Sequence, residues 1–317
     1  MTKRIISVLL ATVFALSVIG CGTKDTKEQD AYRQYGITCM ESGKYEDAVK
    51  AFQNALGESI GHIGEKELDI CFYKAKAQAL DGKTKDALAT YDAIIKYNKD
   101  ARAYYLRGDL YMDMGEEKKG RADFESAVQQ GKKNYEIYIG IYESLSRHEK
   151  KDEGQKYLSA AMEIKGDKPE DELYKGRISY LLGENKDAIS YLEKAKEHKQ
   201  MLASYYLGLA YDANGDSDKA KKCIAEYIKS GVATSYDLYE LGMQEMQDGN
   251  YKNALTYFNS GLELEKVPNK QNLMKSAIAA YEYSGDFDSA KKMMKEYLKA
   301  YPDDEEAKHE NTFLETR

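Results

Sequence analysis

The stretch that decides the fold reads GITCMESGKYEDAVKAFQNA; it begins at Gly36 and ends at Ala55. Ala48, Phe52 and Ala55 stand at i, i+4 and i+7, so they share one face of a helix. Gly43 lies between two helical patterns, where a left-handed glycine closes the first helix. Small residues at Gly36 and Ala48 allow two antiparallel helices to approach closely, and Phe52 fills the remaining space. The stretch therefore predicts a helix–turn–helix unit.

The same pattern of small, glycine, alanine and aromatic positions recurs along the chain. Its leading positions are 36, 75, 108, 140, 176, 208, 242 and 278, a spacing of about 34 residues. The fourth copy fits if two residues are inserted in the turn around Glu149–Asp152. A glycine is predicted to end the first helix of each of the other seven copies, at Gly43, Gly82, Gly115, Gly183, Gly215, Gly249 and Gly285. One such helix pair cannot bury its apolar face alone, so stacked repeats must supply the core.

These repeats resemble the tetratricopeptide family over residues 29–304. The resemblance implies an all-α fold, a right-handed α-solenoid of about eight helix–turn–helix repeats. Residues 305–317 are expected to form a C-terminal capping helix, since a terminal repeat needs a polar outer face. The chain departs from the family at Gly120, where alanine is usual, and at Tyr227 and Tyr297, where a small residue is usual.

The N-terminus has the features of an export signal. Lys3 and Arg4 precede an apolar run from Ile5 to Ile19, which is short for a membrane span. The segment VIGC, ending at Cys21, resembles the lipobox of bacterial lipoproteins. That resemblance implies a signal peptide at 1–20, a diacylglyceryl group on Cys21 and a flexible tether over 21–28. The protein is then expected on the extracytoplasmic face of a bacterial cell membrane, or on the outer membrane if the cell has one; the alternative is an uncleaved signal anchor.

Composition argues against nucleic-acid binding and catalysis. The formal net charge is −7 and there is no basic stripe, which nucleic-acid binding requires. No two of the four His residues share a repeat, and the cysteines other than Cys21 show no CxxC spacing. The run DANGDSD from Asp212 has glycine at the wrong position for a calcium loop. We therefore expect no enzyme activity, no cofactor and no metal.

The candidate partner-binding residues come from the family resemblance, which implies that the second, fifth, ninth and twelfth repeat positions line a concave groove. The candidates on this stripe are Tyr105, Met112, Tyr180, Tyr205, Leu209, Tyr236, Tyr239, Met243 and Met246. Tyrosine offers contact area with a polar tip and methionine adapts to varied shapes, so the groove suits a peptide or helix of a protein partner. Alternatively, these residues pack against neighbouring first helices. The predicted function is a protein–protein interaction scaffold; a glycan-binding accessory subunit of the cell wall is the alternative.

Overall fold

The computed structural model describes residues 27–59, 63–166 and 168–317. Within them the chain forms seventeen helices and no strand, which confirms the predicted all-α fold. The first helices of the repeats are α1 (Lys27–Glu41), α3 (Glu65–Leu80), α5 (Ala101–Asp113), α7 (Tyr135–Arg147), α9 (Pro169–Leu182), α11 (Leu202–Ala213), α13 (Ser235–Gln247) and α15 (Lys270–Tyr283). The second helices are α2 (Tyr45–Gly57), α4 (Thr84–Asn98), α6 (Glu117–Gln130), α8 (Lys151–Met162), α10 (Asn185–Glu197), α12 (Ser217–Lys229), α14 (Tyr251–Leu262) and α16 (Phe287–Ala300), and α17 (Glu305–Glu315) follows them.

The described residues fall into two compact units. The N-terminal unit ends at Val232 and holds the helix pairs from α1 to α12, and the C-terminal unit begins at Ala233 and holds α13 to α17. In both units each first helix packs on its own second helix, and within a unit second helices pack on the first helix that follows. First helices also contact one another, α1 with α3, α5 with α7 and α9 with α11 in one unit, and α13 with α15 in the other. We call the surface that these helices share the first-helix face of each unit.

The turns inside the repeats follow the glycine prediction. All seven predicted glycines adopt positive φ angles, between +70° and +86°. At Gly43 the amide donates to the Met40 carbonyl over 3.1 Å, and the Lys44 amide donates to the Cys39 carbonyl over 2.8 Å. These are the bonds that satisfy the last carbonyls of a helix whose chain reverses through a left-handed residue.

Repeat four corrects one sequence expectation, because its turn contains no insertion. Residues 148–150 connect α7 to α8 just as residues 114–116 connect α5 to α6, and Glu149 takes the left-handed conformation with φ +62°. The leading position is therefore Tyr142, which lies 34 residues after Gly108, and not Gly140. The second helix has Gly154 at the position that holds Ala48 in repeat one, and a Cβ added there would lie 3.1 Å from the Tyr142 Cα.

The departures from the family pattern have local structural explanations. A Cβ added at Gly120 would lie 2.7 Å from the Met112 sulfur and 3.0 Å from the Gly108 carbonyl, so glycine lets α5 and α6 approach at this point. Tyr227 and Tyr297 are fully buried in the second helices of their repeats. The hydroxyl of Tyr297 donates to Asp304, 2.5 Å away, and accepts from the Gln271 amide at 2.8 Å, so both of its hydrogen-bonding roles are used.

The predicted signal peptide, the lipidation site Cys21 and most of the tether lie in residues 1–26, outside the described residues. Across the described part of the chain, no helix has both the length and the apolar character needed to cross a bilayer.

Candidate protein-binding surface

The Tyr/Met stripe of the C-terminal unit lies along α13. Tyr236, Tyr239, Met243 and Met246 follow at i, i+3, i+7 and i+10, so they share one side of the helix. All four side chains are partly exposed. Three of them, Tyr239, Met243 and Met246, rest on an apolar cluster that includes alanines of α15. The stripe therefore presents apolar surface to solvent while its base is supported.

Local sequence explains why α13 holds this orientation. Thr234 caps the helix, since its hydroxyl accepts from the Asp237 amide at 3.2 Å while the Asp237 carboxylate accepts from the Thr234 amide at 2.8 Å. On the side of α13 that faces α14, Gly242 packs tightly on the Phe258 ring, which an added Cβ would approach to 2.3 Å. The Tyr239 and Phe258 ring centroids are 6.1 Å apart. Close packing on α14 thus fixes the orientation of α13, with the stripe lying along the edge of the core that Phe258 belongs to.

The N-terminal unit carries a second part of the predicted stripe on α11. Tyr205 and Leu209 are partly exposed and pack against the apolar cluster of α9 to α12. The Tyr205 ring meets Tyr206 edge-on at 5.1 Å and lies 5.3 Å from the ring of the buried Tyr227. Tyr227, which replaces a small family residue, supports Tyr205 from beneath. Tyr180 on α9 is also half-buried against this cluster.

Two of the predicted groove residues, Tyr105 and Met112, are buried. Tyr105 is 8% exposed and Met112 is 2% exposed, so neither offers useful surface to a partner. Tyr105 is buried because its ring tip fits against the backbone at Gly140 in α7, and Met112 because Gly120 leaves room for its sulfur. These two side chains therefore pack against neighbouring helices, which was the alternative to partner binding.

The first-helix face of the N-terminal unit also carries charged side chains that the sequence analysis missed. Arg147 binds Asp109 at 2.5 Å, and Arg177 binds Glu143 at 2.9 Å and Glu136 at 3.4 Å. Each of these pairs joins two different repeats. With Tyr142 as the leading position of repeat four, Glu136 and Glu143 fall on the groove stripe. A strict 34-residue period would therefore have identified them from the sequence.

The chemistry of the described residues is that of packing and ion pairing. Among them, no group of three or more His, Cys, Asp or Glu side chains could hold a metal ion. His148 uses both ring nitrogens, since Nδ1 lies 2.8 Å from the Ser144 carbonyl and Nε2 lies 3.2 Å from Asp113. Burial raises the pKa of the Cys223 thiol, which keeps it protonated and unreactive at neutral pH.

Family models of the tetratricopeptide repeat match residues 74–135, 202–230 and 271–304. The chain therefore contains tetratricopeptide repeats, as the sequence pattern predicted. Together with the all-helical structure, these repeats define the class of the fold, an α-solenoid of tetratricopeptide repeats.

Several solved structures are similar to the chain. A tetratricopeptide repeat protein from Parabacteroides merdae is 12% identical with a TM-score of 0.47, covering 80% of this chain and 99% of its own. PilW, described as a widely conserved type IV pilus biogenesis factor, is 18% identical with a TM-score of 0.44. The match covers 66% of this chain and 97% of the PilW chain. A chain in the structure of the APC/C hetero-tetramer Cut9–Hcn1 is 16% identical with a TM-score of 0.44. The match covers 90% of this chain and 55% of that one. No curated protein matches the chain.

Proposed function

We propose that this protein is a membrane-anchored, extracytoplasmic scaffold that binds a protein partner through its Tyr/Met stripe. The observation that carries the proposal is the composition of α13, where four successive stripe positions hold Tyr236, Tyr239, Met243 and Met246, all partly exposed. Tyrosine loses little conformational entropy on binding for its contact area, and methionine adapts to the shape of an apolar partner. A helix or an extended peptide of the partner would place apolar side chains along this stripe.

The anchoring part of the proposal rests on the sequence. The basic start, the apolar run and the VIGC segment ending at Cys21 support export and lipidation. Two or three acyl chains hold a protein firmly on a bilayer, whereas one chain is marginal. The first described helix begins at Lys27, six residues after Cys21, so the connection reaches at most about 20 Å. The first repeat would therefore stay close to the membrane surface.

A site-specific photo-crosslinking experiment in cells tests the binding surface. A photoreactive residue replaces Tyr236 in one strain and Lys252, an exposed residue of α14, in a matched control strain. We expect a protein adduct from position 236 and none from position 252. Equal adducts at both positions would contradict the proposed surface. An adduct that resists protease but is released by a cell-wall hydrolase would show that the bound partner is a glycan and not a protein.

A further inference from the structure

A second surface with its own chemistry lies on the first-helix face of α5, α7 and α9, within the N-terminal unit. In the described part of the chain it combines four carboxylates with two guanidinium groups. The network consists of Asp109, Asp113, Glu136, Glu143, Arg147 and Arg177. These six groups carry two more negative than positive charges.

The charges in this network are arranged in two layers. The side chains of Arg177 and Arg147 are 10% and 22% exposed, and that of Asp109, which pairs with Arg147, is 9% exposed. The carboxylates of Glu136, Glu143 and Asp113 are 33%, 38% and 52% exposed. The arginines are therefore directed inward and hold the repeats together, while the outer layer is made of carboxylates. We call these three outer carboxylates, together with Asp109, the acidic wall.

A buried hydroxyl beside the acidic wall is an independent sign that the surface is incomplete. The Tyr105 Oη is buried and has no hydrogen-bond partner among the described residues. It lies against Gly140, whose added Cβ would be 2.8 Å away, one helical turn from Glu136 and Glu143. A buried polar group without a partner costs free energy. Burial also raises the pKa of Glu143 and of Asp113, although Arg177 and Arg147 lie beside them. The network thus has an excess of carboxylates and lies beside a buried hydroxyl that has no hydrogen-bond partner among the described residues.

We infer that the acidic wall binds a Lys- or Arg-containing segment of a partner protein. An incoming ammonium or guanidinium group would reach the outer carboxylates, which the inward-directed arginines do not cover. A guanidinium group can bind a carboxylate through two parallel hydrogen bonds, which adds geometric selectivity. The wall lies on α5 and α7, whereas the partly exposed residues of the Tyr/Met stripe lie on α9, α11 and α13. This inference therefore goes beyond the proposed function and stands or falls separately.

Fluorescence anisotropy with labelled peptides tests the inference on the purified full-length protein. The probe is a twelve-residue peptide of alternating lysine and alanine, and its control has glutamate in place of lysine. We expect the lysine peptide alone to bind, with an affinity that falls as salt is added, since screening weakens exposed charge pairs. Equal binding of both peptides would overturn the inference.

Because the whole chain is acidic, charge-matched variants distinguish the wall from the general negative charge. Glu143→Gln with Asp113→Asn removes two charges from the wall, and Glu163→Gln with Glu197→Gln removes two charges from exposed ends of α8 and α10. We expect the wall variant to bind the lysine peptide roughly tenfold more weakly and the control variant to bind nearly as the unmodified protein does. Equal losses in both variants would overturn the inference.

A further variant keeps the test decisive if the wall variant is less stable. Glu136 pairs with Arg177 at 3.4 Å and accepts a hydrogen bond from Tyr174. The side-chain oxygen of glutamine can still accept from both groups, so Glu136→Gln removes an outer charge and keeps the hydrogen bonds. Thermal unfolding followed by circular dichroism provides the folding control. A folded Glu136→Gln variant should still bind the lysine peptide more weakly than the control variant does, and unchanged binding would count against the wall.

Discussion

Gly154 lies directly against the backbone of Tyr142: a Cβ built on Gly154 would stand 3.1 Å from the Tyr142 Cα and 3.2 Å from its carbonyl oxygen. In most repeats the first helix carries the small residue and the second helix the large one, as Gly36 does against Phe52. In repeat four the first helix carries Tyr142 at the leading position and the second helix keeps a large residue, Leu158. Gly154, in place of an alanine such as Ala48, allows the close approach. The contact at Gly154 involves main-chain atoms, which cannot rotate away as a side chain can.

Replacing Gly154 with alanine should destabilise repeat four. Removing glycine from a helix interior gains up to about 1 kcal/mol, but forcing a methyl group against the α7 backbone costs about 1–3 kcal/mol. We expect a net loss of about 1 kcal/mol, seen as faster amide hydrogen exchange in α7 and α8. Gly57→Ala is the control, because no described atom lies within 4 Å of its added Cβ and its φ is not left-handed. That variant should be neutral or slightly more stable, and equal effects in both variants would contradict the close contact.

Ala188 should not tolerate a larger side chain. It is fully buried between α9 and α10, in a cluster with Leu192 and Ala195. Ala188→Leu is expected to destabilise the N-terminal unit by about 1–3 kcal/mol through overpacking. Because repeats couple mainly to their neighbours, hydrogen exchange should rise in repeat five and in adjacent repeats and change little in repeat one. The matched control is Ala213→Leu at the exposed end of α11, which should leave exchange unchanged.

Docking of α17 should weaken in acid. Hydrogen bonds from Lys275, at 2.8 Å, and from Tyr297, at 2.5 Å, hold the pKa of Asp304 far below its usual range. The folded-state pKa is thus lower than the unfolded value of about 3.9. The stabilisation is complete above that value and is lost as the pH falls below about 4, because protonation of Asp304 then favours undocking.

A tryptophan at Phe313 can report this docking, since the sequence contains no Trp. Fluorescence of Phe313→Trp should change between pH 5 and pH 2 as α17 detaches. In the same background, Asp304→Asn should weaken docking already at neutral pH and remove this part of the pH dependence. An unchanged titration curve in the Asn variant would show that another carboxyl group controls α17.

The proposed lipid anchor predicts the behaviour of a Cys21→Ala variant. Without the thiol no diacylglyceryl group can be attached, so the variant should leave the membrane fraction while the unmodified protein stays in it. Cys71→Ala serves as the control, since this cysteine lies within α3 and should not affect fractionation. A variant that sediments with membranes as before would disprove lipid anchoring at Cys21.

The sequence alone determined the helices and turns, because both depend on residues close to one another along the chain. Ala48, Phe52 and Ala55 fall on one helical face whatever the tertiary structure. A glycine such as Gly43 is favoured wherever the backbone must be left-handed, so the repeat count and the seven glycine turns could be predicted. The turn of repeat four was predicted wrongly, because Glu149 takes the left-handed conformation there.

Tertiary structure alone decided which residues share a contact and which reach solvent. Gly154 replaces an alanine such as Ala48 and leaves room for Tyr142 on the facing helix, and this compensation leaves no mark in the pattern of a single helix. The same holds for Tyr105. Its groove position suggested an exposed ring, but Gly140 on the next first helix leaves room for the ring, which is therefore buried. Glu143 and Arg177 lie 34 residues apart and meet because two repeats stack. Burial and pairing of this kind are properties of two helices together, and the separate helices do not specify them.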